Sequence, residues 1–391
     1  VDEGDIIAQR MFDISPDDTA LTLNAKCYGA AIDSFDEVIS ALSNDVPERH
    51  AQDLSKRSYF GRNLRPKGLG RFDFTKDAES QSAMLRALDH GEYWNPLVCP
   101  KVDISGQLFL VDKAEVLAGS SATPGTVLEV EGGAITVATA SAPLRLSGLC
   151  AVDGGDDAPV VKAGDVLTSL NEKEVAELTV AMQGPIKADA FWRARFEAIV
   201  PAISTLGHDV KGAAEVETHE IPLAGGITPE ALRFAFSVLA LRLDEQDAVD
   251  IAYRSGKMCL PEIASWVPMR IELKDTVNSL AEFVAKADAT GGCAADLWAR
   301  LPGGGTITVP AYGIAADDTS TLIAGTSLTL GTQGRKAKLL ADRNKIPLEV
   351  VTLFIERLVH TAKHLASDSD VASADILPVQ EREKIVVEWN N

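Results

Sequence analysis

Basic residues are scarce. Lys and Arg number 37 against 57 Asp and Glu, and the net charge is −20. Such a field repels a phosphate backbone, so nucleic acid is excluded as a partner unless a local basic patch overrides it. Long apolar runs are missing too. No stretch reaches eighteen apolar residues, and no basic-then-apolar leader precedes a cleavage-type site, so no segment reads as membrane-spanning. Only five cysteines occur (Cys27, Cys99, Cys150, Cys259, Cys293), scattered and never spaced as C-x-x-C. That usage fits reduced thiols in a cytoplasmic protein rather than a disulfide or zinc framework. There is no Gly-x-Ser-x-Gly elbow. The Gly-rich stretch Leu301–Pro310 lacks the Gly-Lys-Ser/Thr that a phosphate loop needs and reads as a tight turn between strands.

What is present is the composition of a folded protein. Hydrophobic residues make up 46% and charged residues 24% of 391 positions, too many residues for one ordinary core, so two or three domains are expected. Asp17, Asp18 and Thr19 form a helix-start signal. Leu21, Ala25, Tyr28, Ile32, Phe35, Ile39 and Leu42 then recur at steps of three and four, which is helical spacing. Ser55–Arg71 carries Lys56, Arg57, Arg62, Arg65, Lys67 and Arg71 around Tyr59 and Phe60. It reads as a solvated connecting loop or as a nucleic-acid arm. A strand end, a cap at Thr75 and a short helix are expected over Asp73–His90. From 101 to 153 the period drops to two, with short runs separated by Gly, Pro and Ser, the pattern of a small β-barrel. The acidic, Gly-bearing Val152–Asp165 reads as a domain boundary. Beyond it helices are expected near 187–205, 228–243, 276–300 and from Pro347. Strands are expected at 248–253, 266–273, 306–313 and 321–330.

Two family resemblances organise these segments. "VDEGDIIAQRMFDIS" followed by "DTALTL" resembles the end of the catalytic domain of folate-dependent formyltransferases, a D-x-G turn, a strand and then a helix. "GRFDFTKDAESQSAMLRALDHGEYWNPLVCPKV" and "PGTVLEVEGGAITVATASAPLRLSGL" resemble that family's connector and its OB-like C-terminal barrel. The resemblance implies an α/β catalytic domain of which only the end is present, and a start at Val1 inside a fold. It implies a catalytic Asn, His and Asp acting on 10-formyltetrahydrofolate. Asp2 matches the Asp, and no stretch of this sequence matches the Asn or the His. The chain as given is therefore expected to be inactive and to retain no folate site, and no metal is called for. In the complete protein the implied reaction is formyl transfer to a carrier-bound aminoacyl amine, with an acidic barrel face arguing against a tRNA substrate.

"ADILPVQEREKIVVEWNN" (Ala374–Asn391) resembles the linker between condensation and adenylation domains of nonribosomal peptide synthetases, with its L-P-x-x-E-R and W-N elements. The preceding residues resemble the C-terminal lobe of a condensation domain, a chloramphenicol-acetyltransferase-like half-fold. The condensation motif H-H-x-x-x-D-G is not in the sequence, and the six histidines are His50, His90, His208, His219, His360 and His364. His360 and His364 share a helix face at a metal-binding spacing, but no third ligand accompanies them, so a solvated helix end is expected. The resemblances imply residues 1–60 as the end of the formyltransferase-like domain with its connector, 61–153 as the barrel, 154–186 as a linker, 187–375 as the condensation-like lobe and 376–391 as the adenylation linker. Adenylation domain and carrier protein are the implied partners. The competing expectation is a degenerate, non-catalytic scaffold that docks the adenylation domain. Half of a two-lobe fold is also expected to leave an apolar face for another surface to cover.

Overall fold

A computed structural model describes residues 3–43, 49–119, 122–154, 158–207, 213–223, 225–244, 246–256, 258–303, 307–365 and 369–385. The chain divides into two compact units, Val1–Ala181 with Ala299–Gly305, and Met182–Trp298 with Thr306–Asn391. No described helix is long and apolar enough to cross a membrane.

The first unit opens with α1 (Ala20–Asp33) and α2 (Phe35–Leu42). Thr19 caps α1 through a reciprocal pair: its hydroxyl accepts from the Thr22 N–H at 3.2 Å, and its own N–H donates to the Thr22 hydroxyl at 2.9 Å. The apolar stripe of these helices is not buried. Tyr28, Ile32, Phe35, Ile39 and Leu42 are all exposed. A 3.6-residue period specifies a helix with an apolar stripe; it does not supply the surface that covers the stripe. α3 (Ala78–Leu88) is capped by Asp77, whose carboxylate accepts from the Ser80 N–H at 2.7 Å, rather than by Thr75. Thr75 lies before the helix, where Asp73 accepts bonds from both its N–H and its hydroxyl.

Seven short strands come next: β1 (Lys101–Ile104), β2 (Gln107–Leu110), β3 (Lys113–Val116), β4 (Val127–Glu131), β5 (Ala134–Ala138), β6 (Pro143–Ser147) and β7 (Cys150–Ala151). They form two antiparallel sheets, β1-β2-β7 and β3-β6-β5-β4, rather than the expected closed barrel. The two sheets share a corner. β2 runs on into β3 through Asp112, and β6 runs on into β7 through Gly148, so a paired ribbon bends from one sheet into the other. Closure fails at the far edges because irregular chain occupies them. The Phe72 N–H donates to the Lys101 carbonyl beside β1, and Val127 of β4 bonds with Asp165 and Gly164. The Phe74 N–H donates to the Ser169 hydroxyl at 2.9 Å, tying these edge segments together. Phe72, Phe74, Val102, Phe109, Ile135 and Leu146 fill one core. The unit's main run of chain ends in α4 (Glu172–Ala181).

The second unit begins with α5 (Gln183–Lys187) and α6 (Asp189–Glu197). It then builds β8 (Val216–Glu220), α7 (Pro229–Asp244), β9 (Ala248–Arg254), β10 (Val267–Glu272), α8 (Val277–Thr290), β11 (Tyr312–Ala316), β12 (Leu328–Gln333), β13 (Lys336–Asp342), α9 (Leu348–His364) and α10 (Val379–Glu383). The sheet is mixed, in the order β10-β9-β11-β12-β13-β8, with β11 parallel to both neighbours and the other pairs antiparallel. The strand expected at 306–313 starts at Tyr312, and β8 and β13 were not expected. Register puts Ile251, Tyr253, Met269, Tyr312, Ile314 and Leu330 on one face. Phe236 of α7 and Phe354 of α9 pack against Tyr312, and Phe283 of α8 against Tyr253. The opposite face carries small and polar residues, among them Gly313, Thr329 and the cross-strand pair Asp250–Arg270. Apart from the edge strand β8, which has no buried residue, the strands are largely buried, and the exposed large apolar side chains of this unit, such as Val200, Val216 and Leu348, are scattered over separate elements. The second unit thus presents no sheet-wide apolar face, among the described residues, of the kind expected of half a fold.

The corner of the first unit is sensitive to a single methyl group. Gly148 has φ +67°, and a Cβ there would lie 2.5 Å from the Asp112 Cβ. Neither atom is the end of a flexible chain, so the two strands would have to separate. Gly148→Ala is expected to cost roughly 1–3 kcal/mol. Hydrogen exchange of peptides covering 107–116 and 143–151 should speed up accordingly; unchanged exchange there would refute the account of the corner.

Candidate functional site

An apolar cavity of the second unit lies between the N-terminal end of α7, one face of α8 and the sheet. It has a volume of about 260 Å³. Three strands supply its floor through Tyr253, Met269 and Ile314, each at most 1% exposed. α8 supplies the wall through Val277, Leu280, Ala281, Val284, Ala285 and Asp288, the stripe that steps of three and four generate on a helix. Two of those six are alanines. Ala281 and Ala285 are solvent-exposed, so the cavity opens to solvent along their side of α8.

The helix is fixed at both ends. Thr276 and Ser279 form a capping box at its start, and Gly291 (φ +70°) ends it in the left-handed conformation. On α7, the Thr228 hydroxyl accepts from the Ala231 N–H at 3.1 Å, setting the turn that carries Glu230 and Arg233.

Polar groups gather at the rim. Arg233 donates to the Thr332 hydroxyl at 3.2 Å and to Glu230 at 3.1 Å. The Tyr253 hydroxyl donates to Asp288 Oδ1 at 3.2 Å. Burial, seconded by the Asp288 charge, pushes the Tyr253 phenol well above its ordinary range. Tyr312, also on the floor side of the sheet, is pushed up to about 12, again chiefly by burial. A phenol held neutral in this way does not exchange protons at neutral pH, and the lining contains no thiol, histidine or serine. An apolar volume with a charged rim is the arrangement of a binding pocket.

In the first unit, a polar cleft of about 520 Å³ is lined by Arg71, Asp103, Asp165 and Ser169 among others. Arg71 donates to Asp103 at 2.9 Å, so the cation of this cleft is paired within the unit.

The sequence-derived candidates fall elsewhere. Asp2 lies outside the described residues. Its neighbours are tied down: Glu3 pairs with Arg57, the Gly4 carbonyl accepts from Gln52 at 2.5 Å, and Ile6 bridges to His50. Arg57 and Arg71 of the basic segment thus serve ion pairs within the first unit. His360 and His364 stack with ring centroids 4.2 Å apart. His360 is not solvated as expected: its side chain is 12% exposed and lies 3.5 Å from Asp375. Among the described residues no group of three or more His, Cys, Asp or Glu side chains could hold a metal ion. Arg233, Tyr253 and Asp288 were missed by sequence reasoning. The one available signal was an acidic residue ending the apolar stripe of α8.

No protein-family model matches the chain. Three solved structures that it resembles are a chain from the complex of the X-domain and OxyB of teicoplanin biosynthesis (15% identity, 57% of this chain and 63% of that one, TM-score 0.38), the starter condensation domain of rhizomide synthetase RzmA (14%, 52% and 58%, TM-score 0.38) and the first condensation domain of the calcium-dependent antibiotic synthetase (16%, 55% and 61%, TM-score 0.37). The chain spans less than two thirds of the length of each. A likeness of this size transfers no activity to this chain.

The buried phenols set an alkaline limit. The folded state holds them neutral above the ordinary tyrosine value of about 10. Their contribution is therefore complete below pH 10 and is lost as pH rises from there through about 12. In Tyr253→Phe the fall of stability between pH 10 and 12, followed by near-UV circular dichroism, should be shallower than in the unsubstituted chain. An identical slope would contradict the burial of this hydroxyl.

Proposed function

We propose that the chain is a segment of a nonribosomal peptide synthetase. In this reading its second unit is a condensation-type lobe used as a structural platform, and the C-terminal segment leads from it towards an adenylation domain. The reading is supported by how that segment is fastened. Leu377-Pro378 and Glu381-Arg382 carry the linker pattern. Arg357 of α9 grips Glu381 with two parallel bonds, one of them 3.0 Å long, and both side chains are largely buried. Asp375 takes Arg382 at 2.8 Å and faces His360. Burial works to raise the Asp375 carboxyl, but the Leu377 N–H and the charges of Arg382 and His360 prevail and hold it below the usual range. Upstream, Val371 and Ala372 donate to the carbonyls of Asp275 and Leu273, and Arg242 of α7 donates to the Ala372 carbonyl at 2.9 Å. A linker bonded at this many points holds an attached adenylation domain in a fixed direction.

The platform role is consistent with the sequence, which has no H-H-x-x-x-D-G motif. Replacing Arg357 by Ala leaves the Glu381 carboxylate without its fork and should weaken the docking by about 2 kcal/mol. Limited proteolysis between residues 370 and 385 is expected to accelerate by roughly thirtyfold, and product formation by the complete synthetase to fall. Faster proteolysis with unaltered product formation would overturn the platform role while leaving the clamp intact.

For the first unit, the proposal is a formyltransferase-like end domain whose activity belongs to the complete protein. In this reading Asp2 is one of the three catalytic residues that the resemblance implies, and the Asn and the His have no match in this sequence. Asp2→Asn in the complete protein should reduce formyl transfer from 10-formyltetrahydrofolate to a carrier-bound aminoacyl amine at least about a hundredfold. Unchanged transfer would leave the first unit as scaffold alone.

A further inference from the structure

The rim charges of the cavity under α8 do not cancel. Glu230 and Arg233 neutralise one another at 3.1 Å. Asp288 has one hydrogen bond among the described residues, from the Tyr253 hydroxyl, and no ion pair. A carboxylate can accept about four bonds, so most of its capacity is unused. Its position adds to the imbalance. Asp288 sits in the last turn of α8, where the helix already presents partial negative charge from its terminal carbonyls. The neighbouring cation on α8, Lys286, lies 3.7 Å from the centre of the Phe191 ring instead. A half-buried carboxylate is thus held at a helix C-terminus, beside an open apolar space, without a counter-charge.

We propose that this cavity binds a small amphiphilic cation, a primary amine with an apolar body of about four to six carbons. The ammonium donates to the free lone pairs of Asp288, and the body fills the space bounded by Met269, Leu280, Val284 and Ile314. The volume sets the size: about 260 Å³ is below the roughly 300–1,000 Å³ of sites for drug-sized ligands. The charge sets the sign: a carboxylate ligand would meet Asp288 and the α8 terminus with like charge, and its one attractor, Arg233, is already bonded to Glu230 and Thr332. This site is independent of the synthetase reading, and it stands or falls on its own measurement.

The test compares isoamylamine with isovalerate, which share a carbon skeleton and differ in charge, by saturation-transfer NMR and calorimetric titration against the full chain. The amine is expected to bind at least tenfold more tightly than the acid. Asp288→Asn should remove at least tenfold of that affinity. Ala281→Trp, at an exposed α8 position that faces the cavity, should abolish amine binding by filling the space without disturbing the buried floor. Binding of the acid as tight as the amine, or amine binding that persists in a folded Ala281→Trp chain, would overturn the proposal. The amine–acid comparison needs no substitution, so it decides the matter even where Asp288→Asn fails to fold.

Discussion

Asp250 fixes the second unit. Its side chain is wholly buried on β9, and Arg270 of β10, directly opposite, donates to both of its oxygens at 3.1 and 2.7 Å. The Val200 N–H donates to the same carboxylate at 2.7 Å, and the Asp250 backbone exchanges bonds with Val200 and Ala202. A buried carboxylate without these partners would be strongly destabilising, so no other pairing of the two strands is tolerated. That matters because a slip of one residue turns every side chain to the other face. Holding Arg270 opposite Asp250 places Met269 opposite Ile251, and so sends Tyr253, Ile251 and Met269 towards the helices together. The floor of the cavity is a consequence of an ion pair on the reverse side of the sheet.

Two features of the protein depend on side chains that are small or missing. In the first unit, Gly148 lets the β2–β3 and β6–β7 ribbon turn its corner against Asp112. In the second, Ala281 and Ala285 leave the cavity open to solvent along one side of α8. Neither feature is visible in an apolar pattern, since glycine and alanine contribute little to periodicity. Both become legible only when the partner surface is in place.

Two places in the second unit use charge in different ways. At β9 and β10 the sheet meets α8 and leaves the cavity with its unbalanced Asp288. On α9, Arg357 and His360 receive the C-terminal segment through Glu381 and Asp375. Charge therefore does opposite work at the two places. At the clamp every carboxylate has a cation, which orders the chain. At the cavity rim one carboxylate lacks a cation, which leaves it available to a ligand.

The sequence by itself determined the existence and type of the long elements. The alternation along Ala248–Arg254 and Val267–Glu272 and the period along Pro229–Asp244 and Leu348–His364 are local, and they lead directly to hydrogen bonding within a helix or across a hairpin. The antiparallel strands of 101–151 were equally legible, because their Gly-rich turns break the chain where φ must be positive. Tertiary structure alone decided the rest. It left the Tyr28–Ile39 stripe exposed, put irregular chain on the edges of β1 and β4 where ladder pairing would have closed a barrel, and brought Arg233, Tyr253 and Asp288 to one rim from three separate elements. Those outcomes depend on which surface meets which, and spacing along one segment carries no record of a partner dozens of residues away.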